Sequence, residues 1–399
     1  MKKIYLITIL TSIFVITVIV GIYNIFLKKD FTNRQIKVGF IYVGDDSTSY
    51  TGNFIKAQKA VENAFGDKVK IYAKYNIQES NCTDAFQDLI DKKCNIIFST
   101  SYGYGKNAKE FAGRYPNIQI CQATCSNAIE QPIYKNYHTF MGHIYEGRYV
   151  CGVVAGLKLK ELIDDGKITS EQAKIGYVGA FPYAEVISGF TAFFLGVRSV
   201  VPQAIMTVKY TNSWTDYVLE KKCTQELINA GCIIISQHSD TTGPAVACEK
   251  TENNHFVYLV SYNQNMADVA PTTYLTGSKI NWTPYILSAV NAVFYEKRIE
   301  ENVNANINGN DAGAGFDKDW VQILEFNKIE AAKGTQEKIE ETIKALQQKK
   351  IQVFKGNYTG INPFDASDTI DLSKGFIENA KSSAPSFHYI LKDVITEEK

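Results

Sequence analysis

The sequence predicts two similar α/β lobes, each a parallel sheet flanked by helices, preceded by one apolar helix long enough to cross a membrane. Three observations predict this. Short β-rich runs alternate with helical patterns through most of the chain. A block of the first half returns in the second half. A single uninterrupted apolar run stands at the amino terminus. With 399 residues there is room for two cores of ordinary size. Hydrophobic residues make up 45% and charged residues 21%, values of a folded rather than a disordered chain.

Residues 4–27 carry no charge and follow Lys2 and Lys3. A spanning helix needs roughly 20 apolar residues, so this run suffices. A cleaved secretory signal has a shorter apolar core and a small-x-small site, which 21–27 lacks. The expectation is a signal anchor over 1–30, with a cleaved signal as the alternative; in both, the body is exported and lies on the extracytoplasmic face. Lys28 and Lys29 beyond the run weaken any assignment of orientation from flanking charge. An exported body can keep disulfides, and eight cysteines are present. Cys121 and Cys125 are near enough in sequence to pair, while Cys94 and Cys232 each open an apolar run as small buried hydrophobes do. No Cys/His spacing of a zinc site occurs, and no metal or cofactor is expected.

In the body, 37–43 (KVGFIYV), 69–75 and 95–99 read as strands, and 52–65 and 84–91 as helices. Such βαβ alternation implies a parallel sheet. The pattern then repeats: 174–178 (KIGYV) echoes 37–41 (KVGFI), and 227–235 (LINAGCIII) echoes 89–97 (LIDKKCNII) at nearly the same offset. Two matches in the same order predict duplicated lobes. Further on, 302–315 reads as a loop or hairpin and 333–350 as a charged amphipathic helix with a solvated face. The stretch from 354 to the end is expected to return over the second lobe. The lobe boundaries read as 35–160 plus about 265–300 for the first, and 165–262 plus about 318–399 for the second.

Ligands of open parallel sheets bind outside the carboxyl ends of the strands, and two facing lobes make one cleft of those ends. The loop after the first strand, 44–54, holds Asp45, Asp46, Tyr50 and Thr51. Its carboxylates can accept from hydroxyl groups of a solute, or can serve the turn and cap the following helix. After the third strand, Ser101 and Tyr102 precede Gly103, and glycine lets a backbone approach a ligand closely. The second lobe offers 180–185, 211–216 with Trp214, and 236–241 with His238, Ser239 and Asp240. Trp214 among polar neighbours suits stacking on a planar ring, or anchors the loop. His238, Ser239 and Asp240 are adjacent and so cannot form a catalytic relay; His238 reads as a hydrogen-bonding loop residue. No phosphate-binding loop, nucleophile elbow, HExxH or kinase set is present. Lysine plus arginine and aspartate plus glutamate both total 42, so no net field draws the chain to nucleic acid. The 24 tyrosines, 22 phenylalanines and 3 tryptophans can build a stacking pocket and still pack two cores.

Ordered blocks run from about residue 37 to the end: 99–104 (STSYGY), 142–149 (GHIYEGRY), 174–178 with 180–182 (AFP), Glu185–Ile187 and Gly189, 196–200 (GVRSV), 211–214 (TNSW), 237–240 (QHSD), then Pro271, 275–277 and 281–282. On these residues the chain resembles the basic membrane protein family of substrate-binding proteins, relatives of purine nucleoside receptors that feed ABC importers. The resemblance implies a two-lobed type I periplasmic-binding fold. It also implies a purine nucleoside held between aromatic rings, with its ribose hydroxyls on carboxylates and an amine. Carried over, Asp45 or Asp46 is the first-lobe carboxylate, Tyr50 the stacking ring, and Thr51 stands where many relatives have Asn. Trp214 is the second-lobe ring, Ser239 and Asp240 lie beside the base, and Lys279 matches a ribose-binding lysine. Asn263 stands where relatives have an acidic residue, offering one carbonyl acceptor in place of a carboxylate. The lipoprotein cysteine is replaced by the apolar run. The implied partners are a small-molecule ligand, a permease with its ATPase and, through the amino-terminal helix, the membrane. A tethered solute sensor is the alternative. A nucleoside-processing enzyme needs an acid or base at the glycosidic bond, for which Asp45, Asp46 and Asp240 are at hand, but the resemblance points away from turnover.

Overall fold

A computed structural model describes residues 31–251 and 256–398. The expected amino-terminal helix lies outside these residues; among the described residues, no helix is long and apolar enough to cross a membrane.

The chain opens with β1 (Ile36–Ile41), α1 (Ser49–Phe65), β2 (Val69–Lys74), α2 (Cys82–Asp91), β3 (Ile96–Ser99), α3 (Gly105–Arg114), β4 (Gln119–Ala123) and β5 (Tyr137–Gly142). The strands are parallel in the order β5-β4-β3-β1-β2. All four residues of β3 and all six of β5 are buried, as strands covered on both faces must be.

At 142–144 the chain crosses to the second lobe and enters α4 (Ile144–Asp164). There follow β6 (Lys174–Gly179), α5 (Ala184–Arg198), β7 (Ile205–Tyr210), α6 (Tyr217–Asn229), β8 (Ile234–His238), α7 (Gly243–Glu249), β9 (Tyr258–Tyr262) and β10 (Tyr274–Ile280). Their order, β10-β9-β8-β6-β7, reproduces the first sheet strand for strand. The sequence echo falls on equivalent places: β1 with β6, and the α2-to-β3 corner with the α6-to-β8 corner. In each lobe the strand's central glycine makes room for the helix. A Cβ on Gly39 would meet Leu89 Cδ1 at 2.9 Å, and one on Gly176 would meet Leu227 Cβ at 2.8 Å. Cys94 and Cys232 are buried at the matching corners.

The chain returns to the first lobe at 280–283. There α8 (Thr283–Phe294) covers α1, and the hairpin β11 (Asn306–Asn308) and β12 (Asp311–Ala314) adds to β5. A third crossing, 314–321, leads to β13 (Val321–Ile323), which joins β10 antiparallel, and to α9 (Thr335–Gln347). The remainder stays mostly on the second lobe. A small sheet is formed by β14 (Thr359–Asn362), β15 (Asp365–Asp371) and β16 (Ile390–Leu391), and β17 (Ile395–Glu398) pairs with β7.

Two expectations about the lobes are corrected. Residues 145–160 do not belong to the first lobe: after Ile144, α4 is packed in the second, against α5. The two helices touch backbone to backbone, since a Cβ on Gly152 would lie 2.0 Å from the Phe193 carbonyl oxygen and one on Gly196 2.2 Å from that of Tyr149. Within 265–300, β10 is a strand of the second sheet, and the part that packs in the first lobe begins at its last residue, Ile280, with Trp282 and α8 following. All eight cysteines are free thiols, Cys121 and Cys125 included.

Under the second sheet's strand ends lies Arg148 of α4, fully buried. Its guanidinium donates to Tyr177 Oη and Ser236 Oγ, both at 2.7 Å, and to the carbonyls of Gln237 and Ser261 at 3.3 Å. It sits 5.4 Å from the ring centroids of Tyr177, Phe193 and Tyr262. One planar cation thus fastens α4 to the ends of β6, β8 and β9.

Candidate functional site

Between the lobes, at the carboxyl ends of the strands, is a cavity of about 500 Å³. Six residues expected from the sequence line it: Tyr50, Thr51, Ser101 and Tyr102 from the first lobe, Trp214 and Asp240 from the second. Tyr50 is held in place by its hydroxyl, which donates to the Thr100 carbonyl, and by Phe54 edge-on at 5.2 Å. The Trp214 indole meets Phe181 edge to face at 5.4 Å, and Phe181 stacks on Tyr183 at 5.0 Å. Tyr183 in turn meets Tyr102 across the cleft at 5.7 Å, so an aromatic pair closes one side between the lobes.

The other five expected residues do not line the cavity. Asp45 is spent on its own turn: Oδ1 accepts from Ser47 N at 3.0 Å and Ser47 Oγ at 2.5 Å, and Oδ2 from Asn76 Nδ2 at 3.0 Å. These bonds hold its carboxyl below the usual range. Of the two roles open to the loop's carboxylates, Asp45 takes the turn. Asp46 is exposed outside the cavity, and Gly44 and Thr48 line it instead. Ser239 is turned away, donating to Glu220 Oε2 at 2.7 Å. Lys279 stands beside Lys56 and Asp319; burial and the Lys56 charge lower its ammonium pKa. Asn263 adopts a left-handed φ of 64°, which asparagine tolerates. Its carbonyl accepts from Asn53 Nδ2 of the first lobe at 3.0 Å, and its own Nδ2 donates to Asp240 Oδ1 at 3.4 Å. It joins the lobes and orients Asp240 from behind.

Sequence reasoning missed Glu79, Glu185, His238 and Tyr262, all of which line the cavity. Phe181 and Glu185 lie in a loop the strand-end rule had marked, but no single residue there stood out. Glu79 follows the edge strand β2, an end to which the rule was not applied. Its Oε1 accepts from Ser101 Oγ at 2.5 Å and Gly103 N at 2.8 Å, and a Cβ at Gly103 would lie 2.4 Å from its carboxyl. The glycine between aromatics therefore makes way for a carboxylate. His238 is buried at the cavity floor, with Nε2 3.5 Å from Glu185 and neither ring nitrogen hydrogen-bonded. Burial lowers its pKa, so the ring is neutral at physiological pH.

The site's charge is one-sided. Among the described residues, three carboxyl side chains, Glu79, Glu185 and Asp240, face the cavity, and no lysine or arginine does. Burial, with the charges of Glu220 and Glu185 adding, pushes the Asp240 carboxyl up to about 8, so at neutral pH it can donate a hydrogen bond. Glu220 behind it is raised by burial to about 7. An unfolded glutamate titrates near 4.3, so between roughly pH 4.3 and 7 the folded state binds more protons, and stability falls as pH rises. Glu220→Gln removes that loss while keeping an acceptor for Ser239. It should raise the unfolding free energy by about 1–2 kcal/mol at pH 8 and leave it nearly unchanged at pH 5. Denaturant unfolding at the two pH values measures this; equal effects at both would contradict it.

Two duplicated lobes joined by three crossings thus enclose a cleft of rings and acceptors between them. The profile of the family described as ABC transporter substrate-binding protein PnrA-like matches residues 35–353, and the chain belongs to that family. The family comprises extracytoplasmic solute-binding proteins, not enzymes. A purine-binding protein of Brucella abortus is 31% identical over 65% of this chain and 69% of its own length. A Haloferax volcanii protein, provisionally named an ABC transporter glucose-binding protein, is 27% identical over 63% of this chain and 59% of its own. Among solved structures, an ABC transporter solute-binding protein of Conexibacter woesei superposes with a TM-score of 0.61 at 12% identity, covering 79% of this chain and 97% of its own. That likeness establishes the periplasmic-binding-protein-like fold expected from the sequence.

Proposed function

We propose that this chain is the solute receptor of an ABC importer and that its solute carries a purine ring, as the nucleoside or the free base. The observation that supports this most is the lining itself. Tyr50, Tyr102, Phe181, Trp214 and Tyr262 surround a cavity of about 500 Å³ that also presents carboxyl groups and a neutral imidazole. Flat heteroaromatic solutes bury well against such rings, and a purine edge offers both donors and acceptors to Glu185, His238 and Asp240. The printed name of the Brucella relative supports the same class. The residues expected to hold a ribose, Asp45 or Asp46, Asn263 and Lys279, lie outside the lining. The ring rather than the sugar therefore supplies most of the affinity.

Calorimetric titration of protein refolded free of carried solute tests this. Adenine, hypoxanthine, adenosine, guanosine and inosine should bind saturably, and the free bases should come within about tenfold of their nucleosides. Cytidine, ribose and glucose should give little heat. Saturable binding of glucose with no purine response would overturn the reading and leave the family membership intact.

A further inference from the structure

The carboxyl-terminal residues beyond 353 lie outside the family match, and one part of them touches both lobes. Glu378 is buried in the second lobe, where Oε2 accepts from Ser188 Oγ of α5 at 2.7 Å and from Phe387 N at 3.1 Å. Its Oε1 accepts from Ser386 N at 2.6 Å. Five residues on, Ser383 binds the first lobe: its N and Oγ donate to the two oxygens of the buried Asp311, at 2.5 and 2.6 Å. Asp311 belongs to β12 and is held by Thr139 of β5 at 2.7 Å. Asn308 Nδ2 adds a bond to the Lys381 carbonyl at 2.6 Å. Between the two anchors, Asn379 Nδ2 donates to the carbonyls of Ser382, Ser383 and Ala384, which fixes the loop's shape. Ala384 packs on the first-lobe core and Phe387 is buried in the second, so the chain passes from one core to the other within three residues.

We propose that residues 378–386 form a strap across the hinge, a non-covalent connection beside the three covalent crossings that limits how far the lobes separate. The three covalent crossings bend at 142–144, 280–283 and 314–321. The strap runs from beside the first of these, near His143, to the flank of the cleft. There Ala384 and Pro385 border a second cavity of about 460 Å³ together with Tyr102, Tyr183 and Glu185. Because Leu372, Phe387 and Leu391 are buried in the second-lobe core on either side of 378–386, rotation that draws Tyr183 away from Tyr102 on this flank must pull Ser383 from Asp311 and Lys381 from Asn308. Both anchors are buried carboxylates accepting several hydrogen bonds, the kind of contact that gives way as a unit rather than gradually. Ser383 is accordingly a positioning residue for closure and not a solute contact.

The test uses the full chain without solute, so it is independent of which solute the cleft takes. Two variants loosen the strap's hold on the first lobe: Asp311→Ala, which removes both acceptors of Ser383, and Asn308→Ala with Ser383→Ala, which removes the side-chain bonds. Hydrogen exchange followed by mass spectrometry should show roughly tenfold faster exchange at peptides spanning 142–144 and 314–321 in both. Small-angle scattering should show a larger radius of gyration in both. Exchange in β6 and β8 should stay unchanged, which separates hinge loosening from general destabilisation. Should one variant fail to fold, the other still reads the hinge. Acceleration confined to 378–386, with the hinge peptides and the scattering profile unchanged, would overturn the proposal.

Discussion

Trp214→Ala is expected to raise the dissociation constant for adenine or adenosine roughly thirty- to 140-fold, a loss of about 2–3 kcal/mol. The indole lines the cavity and is braced by Phe181 at 5.4 Å, so its face is presented to a ligand at little further entropic cost. Its loop is tied to the next one by the bond from Asp240 N to the Trp214 carbonyl at 2.9 Å, which the substitution leaves intact. The loss therefore reports the ring and not a collapse of the wall. Trp214→Phe should recover most of the affinity, because a smaller ring still stacks. Titration of both variants decides the matter: equal weakening in both would mean that the indole N–H, rather than the face, carries the contact. An unchanged dissociation constant for Trp214→Ala would remove Trp214 from the site.

Arg148→Met should destabilise the protein by about 3–5 kcal/mol, the largest effect expected outside the site. Methionine fills much of the volume but donates nothing, leaving four acceptors of β6, β8 and β9 without the guanidinium. Replacing both sides of such a network by apolar groups can be neutral; removing one side is not. Arg148→Lys should recover only a small part, since an ammonium cannot reach the Tyr177 and Ser236 hydroxyls and two carbonyls in the geometry of a planar fork. The Gln237 carbonyl immediately precedes His238, so the cavity floor should loosen as well and purine affinity should fall with stability. Denaturant midpoints for the two variants test this, and a shift below 1 kcal/mol for Arg148→Met would contradict the assigned role.

The repeated blocks fixed a duplicated fold because each echo fell where a sheet needs it: a glycine in the strand, a leucine on the helix above it and a cysteine at the corner. What the repeat could not say is which lobe an element joins after a crossing. The α4 sequence is buried almost all round, so its apolar pattern has no face that names its partner, and its glycines show their purpose only when α5 lies against them. β10 likewise reads as a strand, but its sheet is decided by β9 and β13. The strand-end rule named Tyr50, Thr51, Ser101, Tyr102, Trp214 and Asp240, which line the cavity because backbone position alone brings those loops together. Position does not give direction. Asp45 folds back on Ser47, Ser239 on Glu220, and Lys279 stands apart from the lining, three outcomes set by local hydrogen bonds and neighbouring charge. Glu79 was invisible because its value comes from a backbone N–H that only glycine at 103 exposes to it.

The proposal that rests most directly on the geometry is that the cleft takes an uncharged purine, since rings and three carboxyl groups, and no lysine or arginine among the described residues, line it. Two unit charges 4 Å apart interact by about 4 kcal/mol near a protein surface, so a phosphate placed beside Glu79 and Glu185, with Asp240 protonated and no cation to offset them, is disfavoured. The most direct measurement is a paired calorimetric titration at pH 7 with adenosine and adenosine 5′-monophosphate, on protein refolded free of carried solute. The account predicts saturable binding of adenosine and an affinity for the monophosphate at least roughly a hundredfold weaker, about 2.7 kcal/mol. Equal or tighter binding of the monophosphate, or no heat with adenosine from folded protein, would contradict it.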